Sequence, residues 1–310
     1  MSRVDRRLFL LRRLAWLCAV TVLAVTSLSA FIRLSNAGLG CADWPQCYGE
    51  RGLASAPATA ARSDEVTATI VARIAHRVMA VLALLLIVAL IMVCFGDHPR
   101  LRGQGSIALA LLALALFLAV LGRWSSGSPV PAVSIANLIG GFAMLALSLR
   151  LAMGSAPAPA PAPRPRVAVV VALLLLVAQV ALGGLVSASH AGLSCVGWSD
   201  CAAAARAVPW STLDPWREPL LSARPPFNAA GALSQSIHRG MALVLVLVLL
   251  PLAIAAWRRG GRRTAAALIA LLAAQLITGL AMVQGSLPLG LALLHNLLAA
   301  CLLATLVLLA

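Results

Sequence analysis

"GLGCADWPQC" occupies Gly38 to Cys47, and "GLSCVGWSDC" occupies Gly192 to Cys201. Each places a Cys-x₅-Cys pair, with a tryptophan inside it, directly after a long apolar run. A motif that returns in the same context about 150 residues later points to a duplicated chain. The runs that flank it show what kind of unit was duplicated.

Apolar residues make up 62% of the chain and charged ones 11%, and lysine is absent. A soluble domain of 310 residues needs far more polar surface, so the chain belongs to the membrane class. The net charge of +15 comes from 24 arginines against nine acids. These arginines fall between apolar runs instead of forming a stripe, so they read as topology, and no nucleic-acid partner is expected.

A spanning helix needs about 20 mainly apolar residues. Eight stretches qualify, at 14–34, 70–95, 105–123, 131–152, 167–187, 233–257, 264–283 and 289–310. Arginines cluster in the N-terminal tail (Arg3, Arg6, Arg7, Arg12, Arg13) and in every second connection: Arg100 and Arg102; Arg150, Arg164 and Arg166; and Arg258, Arg259, Arg262 and Arg263. The alternate, longer connections hold only six, against 14 on the first side. The positive-inside rule then predicts a multi-pass protein of a bacterial-type inner membrane, with both termini cytoplasmic and the cysteine loops outside. "SRVDRRLFLLRR" followed by "SLSA" has some features of a cleaved signal. Its apolar run is too long for one, and its counterpart at 167–187 is internal, so it is read as a helix.

"GSAPAPAPAPRPR", Gly154 to Arg166, is an Ala-Pro linker of extended character. It separates an N-terminal half, 1–153, from a C-terminal half, 167–310, with 154–166 as the joint. Each half reads in the same order: helix, GL-[GS]-C-x₅-C loop, a helix entered at "AHR" or "IHR", a third helix, then "GSP" or "GSLP" before a fourth. Chance similarity among Leu/Ala-rich helices is the competing explanation, but the matching features are polar and ordered. With an even number of spans per half, the repeats are parallel. The expected fold is an all-α integral membrane protein of eight transmembrane helices, arranged as two pseudo-symmetric four-helix bundles.

Outside the membrane, disulfides form and persist. The spacing favours the pairs Cys41–Cys47 and Cys195–Cys201. Three readings stay open: a structural staple, a redox pair exchanging with a thiol partner, and a metal site, for which no further His or Cys stands at usable spacing. Trp44 and Trp198 suit an interfacial anchor or a lid over an apolar ligand. Cys18, Cys94 and Cys301 lie within helices and read as packing.

Of five histidines, His98 falls in a cytoplasmic turn and His190 at the start of an outer loop. His76, His238 and His295 lie within membrane segments, where ionisable side chains are costly and usually functional. His238 and His295 stand about 6 residues, or ~9 Å, below the outer ends of parallel helices. Two imidazoles at one depth can supply both axial ligands of a haem, and Arg239 can neutralise a propionate. Two unrelated polar residues facing other helices would give the same pattern. In the first half His76-Arg77 matches His238-Arg239, but Asn137 stands where His295 would be. A haem there would keep one protein ligand and an open face, unless the site has decayed.

These residues resemble the haem A synthase family. "RLSNAGLGCADWPQCYG", Arg33 to Gly49, is similar to that family's first outer loop, and the two "HR" pairs and His295 fit as well. The resemblance implies oxidation of the C8 methyl of haem O to a formyl group by successive hydroxylations, for cytochrome c oxidase biogenesis. It implies a haem b cofactor between His238 and His295, and a substrate haem on His76. It implies cysteine pairs at 41/47 and 195/201. Haem O synthase would be the donor of substrate, membrane lipid the surroundings and an unidentified electron donor a partner, with a homo-oligomer left open. Two positions depart from the family pattern. Arg73 replaces a glutamate three residues before the first "HR" histidine, and Asn137 replaces the second N-terminal histidine. Arg73, one turn from His76, can contact a propionate but cannot act as acid or base. Glu65 is read as lying in the preceding loop.

The alternative is a diverged, non-enzymatic paralogue that binds or transfers haem. A transporter is a third reading, but the membrane segments offer no Asp or Glu and no clearly interrupted helix.

Overall fold

The computed structural model describes residues 2–36, 62–125, 128–154, 166–221 and 228–309. Among these, eight helices are long and apolar enough to cross a membrane. They are α1 (Arg3–Asn36), α2 (Arg62–Phe95), α3 (Arg102–Ser125), α4 (Pro131–Gly154), α5 (Arg166–Ala188), α7 (Ala232–Arg258), α8 (Arg262–Gln284) and α9 (Leu289–Leu309). A short α6 (Trp198–Arg206) lies between α5 and α7, followed by two 3₁₀ turns. The chain is an all-α, multi-pass membrane protein. The first cysteine loop, with Cys41, Trp44 and Cys47, and the Ala-Pro linker lie outside the described residues.

Two helices are longer than their apolar runs. The arginine-rich tail predicted to precede the first span is itself helical from Arg3. Arg and Leu are good helix formers, and Ser2 and Asp5 close the start reciprocally. The Asp5 N–H donates to Ser2 Oγ at 3.1 Å, and the Ser2 N–H donates to Asp5 Oδ2 at 2.9 Å. Likewise α2 begins at Arg62 instead of 70, so Glu65 belongs to the helix and not to the loop. Polar helical turns of this kind project beyond a hydrophobic run without any signal in hydropathy. The helix α6 was also unforeseen, because nine residues of mixed polarity carry no membrane signature.

In the first half, α1 packs on α2 and α4, and α3 on α2 and α4. In the second, α5 packs on α7 and α9, and α8 on α7 and α9. The halves meet where α4 lies against α5 and α9, and α1 against α9. Val78, Leu85, Met92, Leu174, Leu247 and Ile277 are all more than half exposed. Such a surface would aggregate in water, whereas hydrocarbon solvates it at no cost.

One contiguous apolar core joins all eight spans. It contains Leu11 to Val22 of α1, Ala83 to Cys94 of α2, Phe142 to Ala152 of α4, and Val169 to Val180 of α5. In the rest of the second half it runs through Leu245 to Ala253 of α7, Leu268 and Leu272 of α8, and Ala299 to Val307 of α9. These stretches share one end of the bundle, the end at which α1 begins and α9 finishes. His76, Asn137, His238 and His295 all lie past its margin, toward the other end. At the core end Arg7 donates to the carbonyls of Val93 (2.7 Å), Cys94 (3.4 Å) and Pro99 (3.0 Å), which satisfies the last turn of α2. Hydroxyls within the spans bond back along their own helices, as Thr21 does to the Leu17 carbonyl and Ser148 to the Met144 carbonyl, both at 2.8 Å.

Candidate functional site

His238 stands six residues past Ala232, the first residue of α7. His295 stands six past Leu289, the first of α9, and Asn137 six past Pro131, the first of α4. At 1.5 Å per residue, all three sit about 9 Å along their helices.

Each of the two C-terminal histidines is met by the same pair of residues on an antiparallel neighbour. Beside His238, the Gln179 amide on α5 donates to the His238 carbonyl oxygen at 3.1 Å and lies 3.4 Å from Nε2 of the ring. One turn on, a Cβ at Gly183 would fall 3.0 Å from the ring's Cε1. Beside His295, the Gln275 amide on α8 lies 3.1 Å from Nε2, and a Cβ at Gly279 would fall 3.2 Å from Cε1. Gln179 lies nine residues before the end of α5, and Gln275 nine before the end of α8. The two cradles are therefore at matching depth.

The environments differ at Nδ1. Thr278 Oγ1 is 3.2 Å from Nδ1 of His295, whereas Nδ1 of His238 is buried without a hydrogen-bond partner. The side-chain oxygens of Gln179 and Gln275 are also buried and unpartnered. Unsatisfied polar atoms are costly in such a place, and a cluster of them marks where a polar or metal-bearing group belongs.

The residues present fit a haem held by two imidazoles. Among the described residues no three His, Cys, Asp or Glu side chains converge as a cage for a bare ion. Two histidines suffice when a macrocycle supplies the remaining iron ligands. Glycine at 183 and 279 leaves each ring room to sit against the neighbouring backbone, and the tight Leu/Ala core ends before this level. Surface grooves lined by Pro251 and Arg258, and by Gln104 and Arg150, lie toward the opposite end and touch none of these histidines.

In the first half, His76 is partly buried on α2 and Arg77 is exposed beside it. Arg73 donates to Asn36 Oδ1 at 3.2 Å, joining α2 to the end of α1. The Asn137 amide donates to Ser29 Oγ on α1 at 3.4 Å. Arg33 crosses between the halves, donating to Ser187 Oγ at 2.7 Å and Asn296 Oδ1 at 3.3 Å. No Gln-x₃-Gly pair occurs in this half.

Cys195 and Cys201 form a disulfide with a Cα–Cα distance of 5.1 Å, and both are buried. The turn of α7 that carries His238 also fastens this loop. Arg239 donates to the carbonyls of Val196 and Gly197 at 3.1 Å and of Cys195 at 3.4 Å, and its Nη1 lies 3.2 Å from Cys201 Sγ. Gln235 donates to the Gly192 carbonyl at 2.6 Å, and Ser236 to the Cys201 carbonyl at 3.3 Å. Asp200 accepts the Val196 N–H at 3.0 Å, and backbone donors of this kind hold its carboxyl below the usual range. Burial pushes the His190 imidazole below its ordinary value.

The Cys195–Cys201 disulfide is formed as the sequence suggested, the Cys41–Cys47 pair lies outside the described residues, and His238 and His295 lie on α7 and α9. Gln179, Gly183, Gln275, Thr278 and Gly279 were missed. The repeated Gln-x₃-Gly, in "QVALG" and "QLITG", was the available signal.

The model of the COX15-CtaA family, described as cytochrome oxidase assembly protein, matches residues 12–307. A curated relative from Shewanella oneidensis, named heme A synthase, is 30% identical over 327 aligned positions, which cover 95% of each chain.

Proposed function

Because this chain belongs to the COX15-CtaA family of cytochrome oxidase assembly proteins, we propose that it is a haem A synthase. It oxidises the C8 methyl of haem O to a formyl group by successive hydroxylations, serving cytochrome c oxidase biogenesis. The observation that carries this reading is the pair His238 and His295, at equal depth, each backed by a glutamine and a glycine. Full-length kinship to a heme A synthase supplies the reaction class.

In this reading the two halves are pseudo-symmetric four-helix units, 1–153 and 167–310, joined by 154–166. The matching packing order within each half supports that division. His238 and His295 hold haem b, which when bound supplies a one-electron carrier beside the substrate pocket. His76 ligates the substrate haem iron, and Asn137, too weak a ligand to compete, leaves the other side to the reaction. Arg77 and Arg239 lend positive charge to the rims, where propionates lie. Arg239 also holds the Cys195–Cys201 loop over the second pocket. The chain lies in the bacterial inner membrane among lipid, with both termini cytoplasmic and the cysteine loops outside. Haem O reaches it from haem O synthase. Each hydroxylation takes one oxygen atom from dioxygen, and the other leaves as water with two electrons and two protons supplied through an electron donor.

A second reading, a haem-binding paralogue without activity, is favoured by Arg73 and Asn137. Both make polar contacts to α1, with Asn36 and Ser29, in place of the family's glutamate and histidine. Co-expression with a haem O synthase separates the two. His76→Ala is expected to abolish haem A while leaving the C-terminal haem in place. Undiminished haem A from that variant would remove His76 from the reaction.

A further inference from the structure

The hydrogen bonds around His238 and His295 specify which ring nitrogen carries the proton. Gln179 Nε2 donates to the carbonyl oxygen of His238, which identifies that atom as the amide nitrogen. An amide nitrogen can only donate, so Nε2 of His238, 3.4 Å away, offers its lone pair and Nδ1 bears the hydrogen. That Nδ1 hydrogen has no acceptor.

At His295 the same tautomer arises with an acceptor in place. Thr278 Oγ1 sits 2.8 Å from the Ala274 carbonyl, the back-bond a helical threonine usually makes, and this consumes its only hydrogen. Toward Nδ1 of His295, at 3.2 Å, the oxygen can then only accept. Nε2 is left as a lone pair, which the Gln275 amide meets at 3.1 Å. Thr278 is 7% exposed, so water does not compete for this bond.

We infer that Thr278 is a positioning residue for His295. By accepting the Nδ1 hydrogen it fixes the ring in the tautomer whose Nε2 can ligate iron, and it makes His295 a more basic ligand than His238. The inference rests on the proposal that these histidines hold haem b. A ring nitrogen has one lone pair, so iron at Nε2 replaces the glutamine amide. Hydrogen bonding at the outer ring nitrogen raises ligand basicity and favours ferric over ferrous iron.

The test uses the full-length protein with its haem, purified in detergent, and compares wild type with Thr278→Val and Thr278→Ser. Valine keeps the shape and removes the acceptor, whereas serine keeps the acceptor. With valine, the six-coordinate low-spin haem is expected to remain and to be easier to reduce. The ferrous-to-ferric ratio at fixed ambient potential should rise severalfold, a tenfold rise corresponding to about 59 mV for one electron. Serine should restore the wild-type midpoint. Haem lost from the valine variant but retained by serine, with unchanged thermal unfolding, supports the same role. A valine variant that keeps its haem at the wild-type potential, with unaltered low-spin resonances, overturns the inference alone. Wild-type protein without six-coordinate low-spin haem, or with haem unaffected by His295→Ala, overturns both it and the reading on which it rests.

Discussion

Nη1 of Arg239 lies 3.2 Å from Sγ of Cys201, and the same guanidinium binds three backbone carbonyls of the disulfide loop. His238 precedes it by one residue, so a single turn of α7 faces the bundle interior with an imidazole and the outer loop with a fork of donors. Loop and ligand are therefore set by one piece of backbone.

Arg239→Gln should consequently loosen the loop. Charge-assisted hydrogen bonds contribute about 1.5–3 kcal/mol each, and the loss here should fall within that range because the site is only partly buried. Arg239→Lys should not restore stability, since an ammonium cannot span several carbonyls as a planar fork does. Thermal unfolding together with proteolytic nicking between Val196 and Leu220 reads the effect. Wild-type resistance in the glutamine variant would show that the disulfide and the Gln235 and Ser236 hydrogen bonds hold the loop without Arg239.

Gly183→Ala and Gly279→Ala place a methyl 3.0 and 3.2 Å from the Cε1 atoms of His238 and His295. Overpacking of this size costs about 1–3 kcal/mol unless the ring turns. Rotated rings with retained haem are expected, seen as shifted low-spin g-values. Alanine at a lipid-facing position of α5, Leu174→Ala, where the side chain is 65% exposed, should leave the spectrum unchanged.

Asn137 shares the helix register of His295, and its amide meets Ser29. Asn137→His should therefore create a second bis-imidazole site with His76. Haem content per protein should rise, and a second low-spin species should appear in the absorption spectrum. An unchanged haem count would argue against the proposed equivalence of the two halves.

His190 gives the outer loop a pH dependence whose sign is fixed. Burial lowers its folded value below the ordinary 6.5, so the unfolded loop binds a proton that the folded loop refuses. The stability contribution is complete above 6.5 and declines as pH falls from there toward the lowered folded value. His190 has a φ of 56°, and asparagine tolerates that region. His190→Asn should flatten the decline in melting temperature between pH 7 and 5.5.

The membrane solvent made much of this legible in advance. Hydrocarbon accepts a helix only where it is long and apolar, so the eight spans could be counted from composition, and histidines within them stood out by their cost. What stayed hidden depends on which helix faces which. Gln179 and Gln275 gain meaning only when α5 packs on α7 and α8 on α9, since a glutamine in a membrane run looks like any tolerated polar residue. Thr278 is one of several helical threonines and is set apart only by its distance to His295. Uniform Leu/Ala content also concealed that the dense core stops short of the histidine level. Arg239 could be placed near the rim from sequence, but its hold on the 195–197 carbonyls depends on the fold of the loop.

The central claim, haem A synthesis, is tested most directly by extracting and weighing the haems from membranes that contain this protein together with a haem O synthase. Haem A or its hydroxymethyl intermediate is the predicted result, and it should vanish with His76→Ala. Only haem O and haem B, from cells in which the protein is folded and carries its C-terminal haem, would contradict the enzymatic account and leave a haem-binding paralogue.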